Sequence, residues 1–316
     1  MSLDAKLKAW AQYPLPHHTI SRLIYHATRL RHPLTPALIN WFVKQFDVDL
    51  TEAANSEVGD FSTFNAFFTR SLADNARPLA NDSSSFVWPA DGKISALGQI
   101  ENSTLLQAKG HTYSVESLIA DDVWAGKYNS GSFATIYLSP RDYHRVHIPW
   151  QGRLLSMTHV PGRLFSVAPH TVDNVSSLFA RNERVIAHFE SPQGAFAVVW
   201  VGAMNVGAIE TVWAGLVTPE KSARLPGTTW LGRKLKGQGS TTWRYAEQQD
   251  GHGDEHGENK NTGASLAQQD FSRGEEIGRF NMGSTVILLT ENPLQFQSEH
   301  INGGAVKMGQ SIGKFR

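Results

Sequence analysis

From about residue 86 onward the chain is written in short β-branched and aromatic runs broken by glycine, proline and asparagine, of which Ser132-Phe133-Ala134-Thr135-Ile136-Tyr137-Leu138 is representative. Runs this short cannot complete the apolar stripe of a helix, whereas each can fill one strand. They do not alternate with helical segments, and no Gly-x-Gly-x-x-Gly follows any of them. That excludes a βαβ architecture and a dinucleotide fold, and predicts an antiparallel β core. The most hydrophobic stretch, residues 195–209, is short for a membrane-spanning helix and holds Gly202, Asn205 and Gly207, so it reads as a pair of buried strands.

The N-terminal part follows a different period. Ile20, Leu23, Ile24, Ala27 and Leu30 share one helical face, with Pro33 as the expected stop. A second helix is expected from Thr35-Pro36, with Thr35 as its N-cap, carrying Leu38, Ile39, Trp41, Phe42 and Phe46. Phe61, Phe64 and Phe68 then share a face and read as core. Formal net charge is zero, which argues against a nucleic-acid partner held by overall charge. The charge is uneven, however. Residues 1–46 hold Lys6, Lys8, Arg22, Arg29, Arg31 and Lys44 against Asp4 alone, and Asp47, Asp49, Glu52, Glu57 and Asp60 follow. A basic, aromatic-bearing amphipathic segment serves equally as a helical cap on the core or as an anchor on an anionic membrane surface. No secretory leader is expected, because residues 1–6 carry no apolar core followed by small residues. The chain has no cysteine, which excludes disulfides, thiolate metal sites and cysteine nucleophiles.

Three segments carry candidate chemistry. Gly283-Ser284-Thr285 stands at the mouth of the apolar run Val286-Ile287-Leu288-Leu289, where the missing Cβ of Gly283 lets a hydroxyl approach its carbonyl. Asp91 sits in Trp88-Pro89-Ala90-Asp91-Gly92, a tight turn before a strand, and taken alone reads as a turn residue. His144 and His147 lie three apart in a segment bounded by Pro140 and Pro149. Each alone reads as structural, and as a pair they need a third ligand elsewhere to hold a metal. Asp, His and Ser together allow a proton relay in which the carboxylate orients the imidazole and the imidazole takes the hydroxyl proton. The hydrolase elbow Gly-x-Ser-x-Gly is absent. A Gly-Ser bond at a strand start points instead to self-attack. Ser284 Oγ adds to the Gly283 carbonyl to give an ester, β-elimination breaks the chain, and the dehydroalanine left behind becomes an N-terminal pyruvoyl group. Its carbonyl can condense with an amine and draw off the electrons of a decarboxylation. A second copy, Gly239-Ser240-Thr241, lies in a Lys/Gly/Gln-rich stretch and is expected to be a loop. Residues 247–263 contain no apolar side chain and read as a surface insertion, in which nothing fixes His252 and His256 as metal ligands.

The order of several segments resembles the bacterial phosphatidylserine decarboxylases: Phe64-Asn65-x-Phe67-Phe68-x-Arg70 with Arg77-Pro78, Pro89-Ala90-Asp91-Gly92, Tyr143-His144-Arg145-x-His147-x-Pro149, Phe280-x-x-Gly283-Ser284-Thr285, and Val306-Lys307-Met308-Gly309-Gln310. The resemblance implies that Asp91, His147 and Ser284 serve self-cleavage, that His144 serves decarboxylation, and that Ser284 becomes a covalent pyruvoyl cofactor, with no metal. It implies a cut between Gly283 and Ser284 into a β chain, 1–283, and an α chain, 284–316, that stay together as a non-covalent heterodimer; further dimerisation is left open. The implied reaction converts phosphatidylserine to phosphatidylethanolamine and carbon dioxide, at the cytoplasmic face of the inner membrane, with the enzyme held there peripherally. The expected fold is α+β. A β-rich catalytic domain of mainly antiparallel strands, 71–316, carries the 247–263 insertion and follows an N-terminal helical, membrane-associating region, 1–70. Met282 stands where the bacterial relatives usually have leucine, a swap that conserves volume. Two other classes compete: a membrane-associated serine hydrolase using Asp91, His147 and Ser284, and a non-catalytic lipid-binding module.

Overall fold

A computed structural model describes residues 3–108, 111–204, 208–218, 240–245 and 269–315. The 247–263 insertion, Gly239 and Asn205 lie outside the described residues. The expected α+β class is borne out, with mainly antiparallel strands and helices at the N-terminus.

The largest sheet is built around the strand Ser284–Thr290, whose seven residues are all buried. It pairs antiparallel with Ser132–Leu138 on one side and Phe196–Val201 on the other, with Ser284 opposite Leu138 and Thr285 opposite Val201. Outward from Phe196–Val201 come Arg184–Glu190, Gly152–Val160 and Thr241–Arg244; outward from Ser132–Leu138 come Gly92–Gln99 and Ala305–Val306. The central strands are buried on both faces, so they lack the polar–apolar alternation of a half-exposed strand, and Phe196–Val201 is apolar at all six positions. Of the two buried strands expected within residues 195–209, Phe196–Val201 is found whole, whereas the second, Ile209–Thr211, only begins at the last of those residues. The second belongs to a smaller sheet, in the order Gly215–Thr218, Ile209–Thr211, Glu276–Phe280, Arg145–His147. Thr241, expected in a loop, instead opens an edge strand whose residues pair with His159 through Ser156. Two threonines and a tryptophan supply enough strand propensity there once a neighbouring edge is available.

The N-terminal helices are α1 (Leu3–Trp10), α2 (His17–Ala27), α3 (Thr35–Phe46) and α4 (Phe64–Phe68). α2 stops before the expected Pro33, because the Thr28 hydroxyl turns back on the Ile24 carbonyl at 2.8 Å. Leu30 therefore lies beyond the helix, and both it and Leu23 are exposed. Thr35 is the first residue of α3 rather than its cap; Leu34 occupies the cap position without a side-chain bond. α3 ends at Asp47, held at φ 55°. Ile39 and Phe42 of α3 pack with Val48, Phe61, Phe64, Phe67 and Phe68 into a second apolar cluster, and Met282 packs against it. Phe67 meets Phe61 and Phe42 edge-on, with ring centroids 5.6 and 5.8 Å apart. Phe67→Ala is expected to destabilise the fold by about 3–5 kcal/mol, the usual cost of emptying a buried aromatic site. A urea titration showing a loss under 1 kcal/mol would mean that this cluster does not hold the helices on the sheet.

Candidate active site

The strand Glu276–Phe280 is an inner strand of the smaller sheet and Ser284–Thr290 an inner strand of the larger one, so residues 281–283 form the corner between them. That corner is clamped. Phe280 N–H donates to the His144 carbonyl and Asn281 N–H to the Ala208 carbonyl, both at 2.9 Å. The Asn281 amide group donates to Ala208 O at 3.2 Å and Glu210 Oε1 at 3.3 Å. Its Oδ1 accepts from Arg29 Nη2 at 2.8 Å, and the Arg29 guanidinium lies over the Tyr25 ring.

Beyond the corner, Ser284 is fully buried and its Oγ has no hydrogen-bond partner among the described residues. A Cβ built on Gly283 would meet the Leu138 carbonyl oxygen at 3.6 Å and His144 Nε2 at 4.0 Å. His144 Nδ1 lies 2.7 Å from the Asp142 carbonyl oxygen. A carbonyl only accepts, so Nδ1 carries the proton and Nε2 presents a lone pair, also unpartnered and buried. The ring lies against Phe68, centroids 4.1 Å apart. Burial, and then the Arg70 cation, push the His144 pKa down to about 3. The imidazole is therefore neutral at physiological pH. Unpaired buried polar groups cost about 1–3 kcal/mol each, so a serine hydroxyl and an imidazole left open beside one peptide bond are unexplained by folding alone.

The other two candidates sit in an adjoining network. His147 Nδ1–H donates to the Gly274 carbonyl at 2.8 Å, which leaves Nε2 to accept from Tyr143 O–H at 2.9 Å. Burial lowers the His147 pKa, against the Gly274 bond and the Glu276 and Asp91 carboxylates, which raise it. Asp91 accepts from Arg77 Nε at 3.0 and 3.1 Å, from Arg77 Nη2 at 2.6 Å and from Met308 N–H at 2.8 Å. Arg77 Nη2 also reaches Glu52 at 2.6 Å, and Glu52 takes Lys307 Nζ at 2.8 Å. Gly283, Ser284 and His144 are thus brought together, while Asp91 and His147 make no hydrogen bond to Ser284 or to each other.

Several residues of this arrangement escaped sequence reasoning. Arg29 was one of many basic residues, with nothing to mark it as the clamp on Asn281. The one available sign for Asn281 was a polar side chain placed directly before an apolar strand. Arg77 and Tyr143 lay inside motif segments, but their partners come from residues 14 and 4 positions away through the fold. Beside the site an apolar cavity of about 410 Å³ opens between the helices and the sheet, lined among others by Trp41, Phe42, Phe64, Phe68, Met282 and Gly283.

The family model for phosphatidylserine decarboxylase matches residues 64–314, which includes every candidate described above. The chain belongs to the phosphatidylserine decarboxylase family. A second model, described as PSD, matches residues 7–47. The chain is 46% identical to the phosphatidylserine decarboxylase proenzyme of Alkalilimnicola ehrlichii, over 94% of each chain. It is 46% identical to that of Pseudomonas aeruginosa, over 99% of this chain and 98% of the relative, and 44% identical to that of Shewanella baltica, over 98% and 97%. The expected family and enzyme class are borne out.

The neutral state of His144 has a consequence for stability. Its folded pKa lies below the ordinary 6.5, so between those values the unfolded chain binds the extra proton. This contribution is complete above about pH 6.5 and is lost as pH falls toward about 3. His188, buried and also pushed down to about 3, acts in the same direction. Over the range from about pH 6.5 to 5.5, His144→Gln is expected to flatten the decline of unfolding free energy by up to about 1.4 kcal/mol per pH unit. Identical slopes for the two proteins in pH-dependent urea titrations would contradict a neutral, buried His144.

Proposed function

We propose that the chain is a self-processing, pyruvoyl-dependent decarboxylase that converts phosphatidylserine to phosphatidylethanolamine and carbon dioxide. The observation that carries this reading is the unpartnered Ser284 Oγ, buried beside the Gly283 carbonyl and a neutral His144 whose Nε2 is free to accept a proton. Ser284 Oγ adds to the Gly283 carbonyl carbon as its proton passes to a base. His144 Nε2 is the free base at that bond, and the His147–Tyr143 pair stands behind it as the second candidate. The C–N bond breaks, the Ser284 nitrogen takes a proton, and an ester joins the two chains. Removal of the Ser284 Cα proton then expels Gly283 as a carboxylate, and hydrolysis of the resulting dehydroalanine releases ammonia and leaves the pyruvoyl group.

The residues present fit that group. Residue 284 lies at a corner without a neighbouring Cβ, and a proton acceptor with no other partner stands beside it. Once formed, the pyruvoyl carbonyl supplies the electron sink for decarboxylation. His144 remains the group able to hold or deliver a proton there, and the surrounding phenylalanines exclude water. The full burial of Ser284 weighs against a hydrolase acting on an external ester. The Arg29–Asn281 clamp makes the N-terminal region part of the machinery. Its exposed Trp10, Leu23, Leu30, Leu34, Leu38 and Trp41, among basic residues, support a peripheral seat on an anionic membrane rather than a purely structural cap. No helix among the described residues is long and apolar enough to cross a membrane.

Denaturing intact-mass spectrometry tests the cut. Two fragments are expected, divided between Gly283 and Ser284, the smaller at the mass of a pyruvoyl-headed 284–316, with Ser284→Ala remaining whole. A single unmodified full-length mass from active enzyme would overturn the reading. Gly283→Ala introduces only ordinary van der Waals contacts and no left-handed backbone, so it is expected to fold. It should nevertheless slow cleavage at least tenfold, by setting a methyl group 4.0 Å from His144 Nε2 and crowding the base at the reacting peptide bond. Cleavage as fast as wild type in a time course would remove His144 from that step.

A further inference from the structure

Arg70 is a buried cation that makes no ion pair among the described residues. It is only 6% exposed, and its Nε and Nη1 have no hydrogen-bond partner among the described residues. Its Nη2 donates to the Arg141 carbonyl at 3.1 Å, and the next carbonyl along, that of Asp142, holds His144 Nδ1. The guanidinium and the imidazole therefore hang from adjacent peptide groups of one turn. The carboxylates that could neutralise Arg70 are engaged elsewhere. Asp142 Oδ2 accepts from Ser139 N–H and Oγ–H, both at 2.7 Å, Asp91 is held by Arg77 and Met308, and Asp49 accepts from Thr51 N–H at 2.8 Å and Thr51 Oγ1–H at 2.6 Å. Phe68, two residues before Arg70, packs at a tilt against His144; it lines the apolar cavity, as does Pro140, one residue before Arg141.

A buried guanidinium is costly unless an anion meets it, and its planar fork matches phosphate and carboxylate oxygens. We propose that Arg70 is a substrate-binding residue that receives the phosphodiester of the lipid headgroup, with the acyl chains directed into the adjoining cavity. This rests on the decarboxylase reading. The phosphodiester fits better than the substrate carboxylate for an energetic reason. A cation on the carboxylate would stabilise the charge that decarboxylation must disperse, whereas the phosphodiester is the same in substrate, transition state and product. Contact with a group that does not change binds all three alike, and its loss appears in KM rather than kcat. In the uncut chain Arg70, His144 Nε2 and Ser284 Oγ are all closed to solvent, and the cut frees the chain end at Met282 and Gly283, which line the cavity.

The test uses matured enzyme and phosphatidylserine in non-ionic detergent micelles. Arg70→Gln is expected to raise KM at least tenfold with kcat within threefold, and Arg70→Lys to recover part of the loss. In the wild type, glycerophosphoethanolamine, which has the phosphodiester but no carboxylate, should inhibit, and an ethanolamine ester lacking phosphate should not. Arg70→Lys should weaken that inhibition. If Arg70→Gln fails to fold or mature, the Arg70→Lys kinetics and the inhibitor pair decide the matter. Unchanged KM in the variants, or equal inhibition by the two fragments, would overturn the assignment. So would a variant that matures slowly but then binds substrate normally, which would place Arg70 on the new Gly283 carboxylate. An inactive but fully cleaved wild type would instead sink the decarboxylase reading, so the two failures are distinguishable.

Discussion

The structure depends on one constraint: the strand Ser284–Thr290 is buried on both faces and hydrogen-bonded along both edges. A strand in that position cannot slide, because a one-residue slip would turn every side chain to the opposite face and break two ladders at once. Its first residue therefore inherits the rigidity of the sheet. On the other side, residue 280 belongs to the smaller sheet and Asn281 is tied to Ala208, Glu210 and Arg29. The Gly283–Ser284 bond is thus held between two fixed points, with only Met282 and Gly283 between Asn281 and the strand. For the proposed self-attack, positioning of this kind would lower the barrier without any unusual residue, since the hydroxyl and the carbonyl need no search to meet.

Hydrogen bonding separates the two histidines, which lie three residues apart: burial lowers the pKa of both, but only His144 keeps an open nitrogen. His144 has one neutralising contact, a carbonyl, and faces a cation, so burial wins and the ring stays neutral with an open lone pair. His147 is half-buried, has both nitrogens occupied and has carboxylates nearby that resist its loss of proton affinity. Tyr143 directly precedes His144 and bonds His147, and its own hydroxyl pKa is raised by burial, so it stays a donor. A relay of Asp91, His147 and Ser284 would require Asp91 to leave Arg77 and His147 to leave Tyr143. The free base beside the Gly283–Ser284 bond requires neither rearrangement.

What could be read from the sequence follows from which interactions are local. The β-rich class, a buried strand within 195–209, α3 after Thr35-Pro36 and the Phe61–Phe64–Phe68 core all arise from local pattern, and all are found. Gly283, Ser284 and His144 were legible because a small residue before a hydroxyl at a strand start, and a histidine between prolines, are local signals. The partners of Asp91 were not. Arg77 lies 14 residues away and Met308 lies 217, and no periodicity relates residues brought together by a sheet edge. The early end of α2 was missed because a single hydroxyl at Thr28 outweighed the more conspicuous Pro33.

The Asp91 network also bears on how two chains would remain one protein after the proposed cut. Cleavage removes a covalent link but no ladder partner: Ser284 to Thr290 still lie between Ser132–Leu138 and Phe196–Val201. Farther along, Ser311–Phe315 pairs with Phe86–Val87, and Ala305–Val306 pairs with Gly92–Gln99. Between those two pairings, Lys307 binds Glu52 and Met308 N–H binds Asp91, so residues 306–308 of the smaller chain are fixed by charges of the larger one. Arg77 couples these contacts, because a single guanidinium nitrogen serves both Glu52 and Asp91. Asp91 therefore has a structural reason to be a buried carboxylate that is independent of any proton it might carry. Removing it would leave Arg77 half-satisfied and the smaller chain's tail unseated, so loss of activity on its substitution would not by itself identify a relay.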